Sequence, residues 1–170
     1  MKNFFVSSFL IIGTLYGLAD SGQNTTSELN YVIDSYDENA AMVTIPDFEN
    51  RQVKYKGNIV IPDKIEVDGV TFIVKGIDKY AFNECDVKLS LPSTIEHIDA
   101  MALYGVELEE DVNLPNLNEV GPMAMMGCTG VKKLTIEPKL EVVGEAAFGG
   151  IMADEFVIES GGNEALLWTS

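Results

Sequence analysis

Ile77-Asp78-Lys79-Tyr80-Ala81-Phe82 returns three times down the chain, as Ile98-Asp99-Ala100-Met101-Ala102-Leu103, Val120-Gly121-Pro122-Met123-Ala124-Met125 and Val143-Gly144-Glu145-Ala146-Ala147-Phe148. The first residues of these segments stand 21, 22 and 23 apart. Ahead of them lie short alternating apolar stretches, most of them closed by proline: Ile59-Val60-Ile61-Pro62, Leu89-Ser90-Leu91-Pro92, Val112-Asn113-Leu114-Pro115 and Leu134-Thr135-Ile136. A fifth, Phe156-Val157-Ile158, keeps the phase with no consensus turn after it. Two motifs holding one period mark a repeat architecture.

The chemistry of one repeat follows from its residue types. Alternation turns Leu89 and Leu91 to one face of a short strand and Ser90 to the other. Pro92 has no N–H to continue a ladder and ends the strand. The Ile-x-x-x-Ala-Phe piece turns the chain, with Ala where backbones pack closely and Phe or its substitute in the core. A unit of about 22 residues cannot bury its apolar edge alone, so neighbours must stack. The expectation is a mainly β solenoid with short parallel strands on one side and turns or short helical segments on the other.

These residues resemble a known family. Apolar-x-apolar-Pro followed by Ile-Gly-x-x-Ala-Phe-x-x-Cys is similar to the BspA-type leucine-rich repeat of secreted and surface proteins, and Gly76-Ile77 through Ala81-Phe82 to Cys85 carries the likeness most closely. Asp68-Gly69 and the stretch to Val74 resemble the hairpin that such proteins place in an early repeat. The resemblance spans residues 31–158, with Leu103 and Met125 in place of Phe, Pro122 after Gly121, and Glu137 before Pro138. It implies a leucine-rich-repeat fold, a secreted or cell-surface location and a role in adhesion or host contact. It supplies no catalytic residues.

Residues outside the repeats divide the rest of the chain. Residues 1–19 read as a cleaved signal peptide, with Lys2, an apolar stretch from Phe4 to Leu18, and Gly17-Leu18-Ala19 before the cut. Its 15 residues fall short of the roughly 20 that span a bilayer. Residues 20–30 are a polar, flexible leader. Residues 31–58 form a hairpin cap, with Tyr31-Val32-Ile33-Asp34 and Ala41 to Ile45 as its arms. Residues 59–170 hold four to five repeats, the last incomplete. Leu166, Leu167 and Trp168, after Gly161-Gly162, are expected to fold back over Phe156 and Ile158 and keep the protein monomeric.

Composition narrows the function. The 170 residues carry 11 Lys and Arg against 27 Asp and Glu, a net charge of −16. Loss of residues 1–19 takes Lys2 and no acid, leaving −17. Nucleic acid and anionic membrane surfaces need a basic footprint, which is missing. No metal or cofactor is expected, because the acidic groups Asp34/Asp37/Glu38 and Glu107/Glu109/Glu110/Asp111 lack the spacing and central Gly of a calcium loop. His97, in Ile95-Glu96-His97-Ile98-Asp99, reads as a solvated turn residue without a nucleophile motif. Cys85 and Cys128 occupy the same slot two repeats apart, about 10 Å. That is beyond disulfide reach and predicts two buried free thiols. Met101, Met123, Met125, Met126 and Met152 read as core filling.

The outward strand face is the candidate binding surface. Lys88, Asp111, Lys133 and Glu155 are expected as lateral neighbours of alternating sign, beside a flat row of Val60, Ser90, Asn113, Thr135 and Val157. The function expected is a non-enzymatic exported repeat protein that offers this face to a protein or glycan. An assembly module stacking through its C-terminal end is the runner-up, and a secreted hydrolase a distant third.

Overall fold

The alternating stretches become strands because their apolar residues have one shared interior to face. The structure, a computed structural model, describes residues 11–15, 29–34, 37–137 and 139–158. Strands β1 (Ile11–Leu15), β2 (Leu29–Ile33) and β3 (Ala40–Thr44) are followed by β4 (Lys56–Val60), β5 (Lys64–Val67) and β6 (Val70–Ile77). The repeats then supply β7 (Asp86–Ser90), β8 (His97–Ile98), β9 (Glu107–Leu108), β10 (Asp111–Leu114) and β11 (Glu119–Val120). The last are β12 (Lys133–Ile136), β13 (Val142–Val143) and β14 (Glu155–Ile158).

Three sheets result. The largest runs β1-β2-β3-β6-β8-β11-β13, with β5 beside β6. Its first three strands are antiparallel to one another, and the pairings from β3 through β13 are parallel. The other two are short parallel sheets, β4-β7-β9 and β10-β12-β14. Every repeat therefore adds a rung on each side of one core. Ile59, Leu89, Leu108, Leu114, Leu134 and Ile136 point inward from the small sheets, and Ile77, Ile98 and Val120 from the large one. The Asp68-Gly69 turn has φ of 51° and 80°, the paired left-handed conformation of a two-residue hairpin.

The connecting turns contain no helix among the described residues, which corrects the expectation of short helical segments. Each turn carries two left-handed residues four apart: Tyr80 and Glu84, Met101 and Gly105, Met123 and Gly127, Ala146 and Gly150. A left-handed residue at every fourth position stops helix propagation. The backbone bonds then split in two. Ala81, Asn83 and Cys85 N–H close turns onto Asp78, Tyr80 and Phe82 carbonyls, while Tyr80, Phe82 and Glu84 N–H donate to Ala100, Ala102 and Tyr104 of the next repeat. The same three-rung pattern joins Met101, Leu103 and Gly105 to Pro122, Ala124 and Met126, and Met123, Met125 and Gly127 to Glu145, Ala147 and Gly149. The turns thus form a ladder of their own, with N–H groups all facing the C-terminal side.

One boundary differs from the sequence reading. Leu29 and Asn30, assigned to the flexible leader, begin β2 because buried Leu29 alternates inward with Tyr31. Within the stretch read as signal peptide, β1 pairs with β2. No helix among the described residues is long and apolar enough to cross a membrane.

Candidate functional site

The strands place Val60, Lys88, Ser90, Asp111, Asn113, Lys133, Thr135, Glu155 and Val157 on the side of the two small sheets away from the core, since their neighbours in sequence fill it. They do not form one continuous row. Asp111, Lys133 and Glu155 share a register line across β10, β12 and β14, with Asn113, Thr135 and Val157 on the next. Lys133 Nζ lies 3.2 Å from Glu155. On the other sheet Lys88 lies opposite Asn58 and Glu107, with Val60 opposite Ser90. Lys88 Nζ is 3.2 Å from Glu107, so the expected Lys88–Asp111 adjacency is wrong.

The reason lies in the third repeat, which supplies two strands. Val106, Leu108, Val112 and Leu114 have one parity and are buried, but Glu110 falls on that parity between them. A carboxylate cannot enter the core unpaired, so the chain breaks at Glu109-Glu110. β9 then continues the sheet of β7, and β10 starts the next. Glu110 turns outward to Lys132 Nζ at 2.7 Å, which holds its carboxyl below the usual range. Ser90 Oγ donates to Glu109 at 3.0 Å and bridges the break. The outward strip is consequently largely self-neutralised: its cations face carboxylates of the same strip.

A second polar centre was not legible in the sequence. His97 lies in β8 on the outer side of the large sheet and is buried, correcting the solvated-turn reading. Its Nε2 is 3.2 Å from Oδ2 of buried Asp34, at the end of β2. The imidazole lies over Gly76 of the adjacent strand: a Cβ there would come within 2.1 Å of Nε2. Nearby, Lys75 bridges Asp37 of the cap turn at 3.2 Å and Glu96 at 3.1 Å. The Asn39 backbone N–H and Lys75 together lower the Asp37 carboxyl. Thr44 Oγ1 of β3 donates to Asp78 at 2.5 Å. Burial raises the Asp99 carboxyl above its ordinary range, with Asp78, Glu119 and Asp34 adding to that and His97 opposing it.

This arrangement joins the hairpin to the first two repeats. His97 with a carboxylate behind it resembles half of a nucleophile-activating pair, but the thiols are elsewhere. Cys85 Sγ is 3.9 Å from the Asn83 carbonyl, and Cys128 Sγ donates to the Leu103 carbonyl at 3.1 Å. Both are free and buried. Burial pushes Cys128 up to about 12 and raises Cys85, the reverse of an activated thiolate. No group of three or more His, Cys, Asp or Glu among the described residues is placed to hold a metal ion. Of the methionines read as core, Met125 is fully buried, Met101, Met123 and Met126 are half-buried at the turns, and Met152 is 74% exposed.

Comparison with known proteins gives one family. The family model described as BspA type leucine rich repeat region matches residues 57–164 with six copies. Three solved structures are similar. A leucine-rich repeat protein from Bacteroides ovatus ATCC 8483 has 18% identity and a TM-score of 0.48 over 81% of this chain and 41% of its own. The pneumococcal vaccine antigen PcpA has 16% identity and a TM-score of 0.37 over 78% of this chain and 49% of its own. A leucine rich cell surface protein from Faecalibacterium prausnitzii A2-165 has 13% identity and a TM-score of 0.36 over 81% and 56%. The chain thus spans about half the length of the solved structures it matches. No curated protein matches it.

Proposed function

Because the chain belongs to the BspA-type leucine-rich repeat family, we propose that it is an exported, non-enzymatic repeat protein whose repeats stack as a solenoid and whose outward strand strip binds a protein or a glycan. The observation that carries this reading is the regular exposure of the strip. Lys88–Glu107 and Lys133–Glu155 satisfy one another, leaving Asn113, Thr135 and Val157 as a flat row of short side chains. Such a row admits close approach of a partner's polar groups without stripping water from unpaired charges.

The test is binding of immobilised protein to a glycan array and to surface proteins of neighbouring cells. Wild type is compared with an Asn113→Arg/Thr135→Arg variant of unchanged melting temperature. A partner held by wild type and lost by the variant supports the strip. Equal retention moves the binding site elsewhere. Export is checked by mass: protein recovered outside the cytoplasm should begin at Asp20, and full-length chain in a membrane fraction overturns it.

A second reading is an assembly module that stacks through its last repeat. The exposure of Val142 (51%) and Phe156 (43%) there favours it. An oligomer of the full-length chain at physiological salt would replace the first reading with this one.

A further inference from the structure

One long strand of the molecule lacks the features that keep sheet edges unpaired. An edge strand presents N–H and C=O groups that another chain can join, and charged side chains, bulges or very short strands discourage it. Among the described residues, β4 begins with Lys56 and left-handed Gly57, and β5 exposes Lys64 and Glu66. The edge strands β9, β10 and β14 carry Glu107, Asp111 and Glu155, and β13 has only two residues. β2, by contrast, is Leu29-Asn30-Tyr31-Val32-Ile33, five residues without a charge, a proline or a glycine. In the structure β1 lies along it.

That pairing shows what the edge accepts. Leu15, Thr14 and Gly13 stand antiparallel opposite Leu29, Asn30 and Tyr31, and Ile11 stands opposite Val32 after a register shift. The donors on this edge follow from those on the other side of β2. Asn30 N–H donates to the Tyr55 hydroxyl at 3.1 Å and Asp34 N–H to the Ala40 carbonyl at 3.0 Å, both toward β3. N–H direction alternates along a strand, so Leu29, Tyr31 and Ile33 aim theirs at β1. The same alternation sets the N–H groups of Gly13 and Leu15 against β2. Leu29 and Tyr31 belong to the core, and β2 is paired with β3 from Asn30 to Ile33. The edge is therefore preformed, and an incoming strand orders only itself.

β1 falls within residues 1–19, so protein beginning at Asp20 has this edge without its occupant. We propose that in the exported protein the β2 edge is a second binding site, which takes an extended apolar segment of a partner protein as an added antiparallel strand. Main-chain bonds at Leu29, Tyr31 and Ile33 hold it. The uncharged strand selects a segment of the kind β1 supplies, Ile-Ile-Gly-Thr-Leu. A second copy is a poor occupant, because each processed chain carries −17. The proposal rests on the export reading for the opening of the edge in the cell. Protein made from Asp20 has the edge in either case.

The probe is a labelled peptide of residues 9–17, with lysines added at both ends for solubility, titrated with protein beginning at Asp20. Its anisotropy should saturate. Amide exchange at Tyr31 and Ile33 should be fast in the free protein and slow with peptide. The same peptide N-methylated at Gly13 and Leu15 has equal charge but cannot donate to β2, and should bind about tenfold more weakly. Ile33→Pro removes one edge N–H and leaves the bonds to β3. It should weaken the unmodified peptide in the same direction, and if the variant does not fold the N-methylated peptide carries the comparison. Equal binding of the two peptides overturns the proposal. So does exchange at Tyr31 and Ile33 that is already slow without peptide, since the protein then covers its own edge. A dimer of the Asp20 form that peptide dissociates assigns the edge to a second copy, and also overturns it. These results are independent of export, which the mass of the recovered protein decides.

Discussion

Gly76 is a glycine because His97 occupies the space where its side chain would stand. Gly76→Ala should destabilise the protein by about 1–3 kcal/mol through overpacking, read from urea unfolding midpoints. In a His97→Ala background the cost should shrink markedly; equal costs in the two backgrounds would remove the contact from the explanation. Glu84 poses the opposite problem. It holds φ of 52° at a slot where the next three repeats have glycine, so Glu84→Gly should stabilise by about 1 kcal/mol. A loss in melting temperature would show that its side chain compensates for the strain. Asp99 gives a pH signature. Its folded-state pKa is raised by burial, so the native state holds its proton more tightly than the unfolded chain. Stability is then lost as pH rises from the unfolded carboxyl value, about 3.9, through the elevated one. The stability of Asp99→Asn relative to wild type should therefore grow over that window and level off above it, and a difference independent of pH contradicts the assignment. The left-handed slot was legible, since Gly105, Gly127 and Gly150 each stand three residues after the turn Ala. The His97 environment was not, because Asp34 comes from 63 residues away.

At the scale of elements, strand alternation and the turn motif carried most of the fold. Each uses a local rule, period two in a strand and a repeated breaker in a turn, and a repeat multiplies the signal. What failed was register. Counting back from Leu91 and Leu114 treats the third repeat as one strand, while the fold splits it into β9 and β10 around Glu109-Glu110. The warning was a carboxylate at inward parity, Glu110, within an otherwise apolar alternation. The split changes the charge-reversal experiment. Asp111→Lys should cost about 0.2–1 kcal/mol by facing Lys133, and Lys133→Glu combined with Glu155→Lys should recover much of it. Lys88→Glu should recover nothing, because Lys88 faces Glu107. Recovery by Lys88→Glu in denaturant titrations would restore the continuous row.

For the whole molecule, the antiparallel hairpin and the repeats share one interior: Leu29 and Tyr31 lie in the same core as Leu134 and Ile136. Protein beginning at Asp20 lacks β1 but keeps every one of those residues. Its unfolding free energy should match that of the full-length chain within about 0.5 kcal/mol, and a large deficit would make residues 1–19 a structural segment rather than an address. The order of layers was readable from sequence because each layer repeats the last. The direction of the turn ladder was not, because it arises from backbone bonds that residue types do not encode. That direction makes the turn ladder a polar object, like a filament with a plus and a minus end. In its turn, any inserted repeat presents carbonyls behind and N–H groups ahead, so it joins its neighbours at either side and hands the same face onward. Length then becomes a quantity that duplication or deletion can alter one unit at a time.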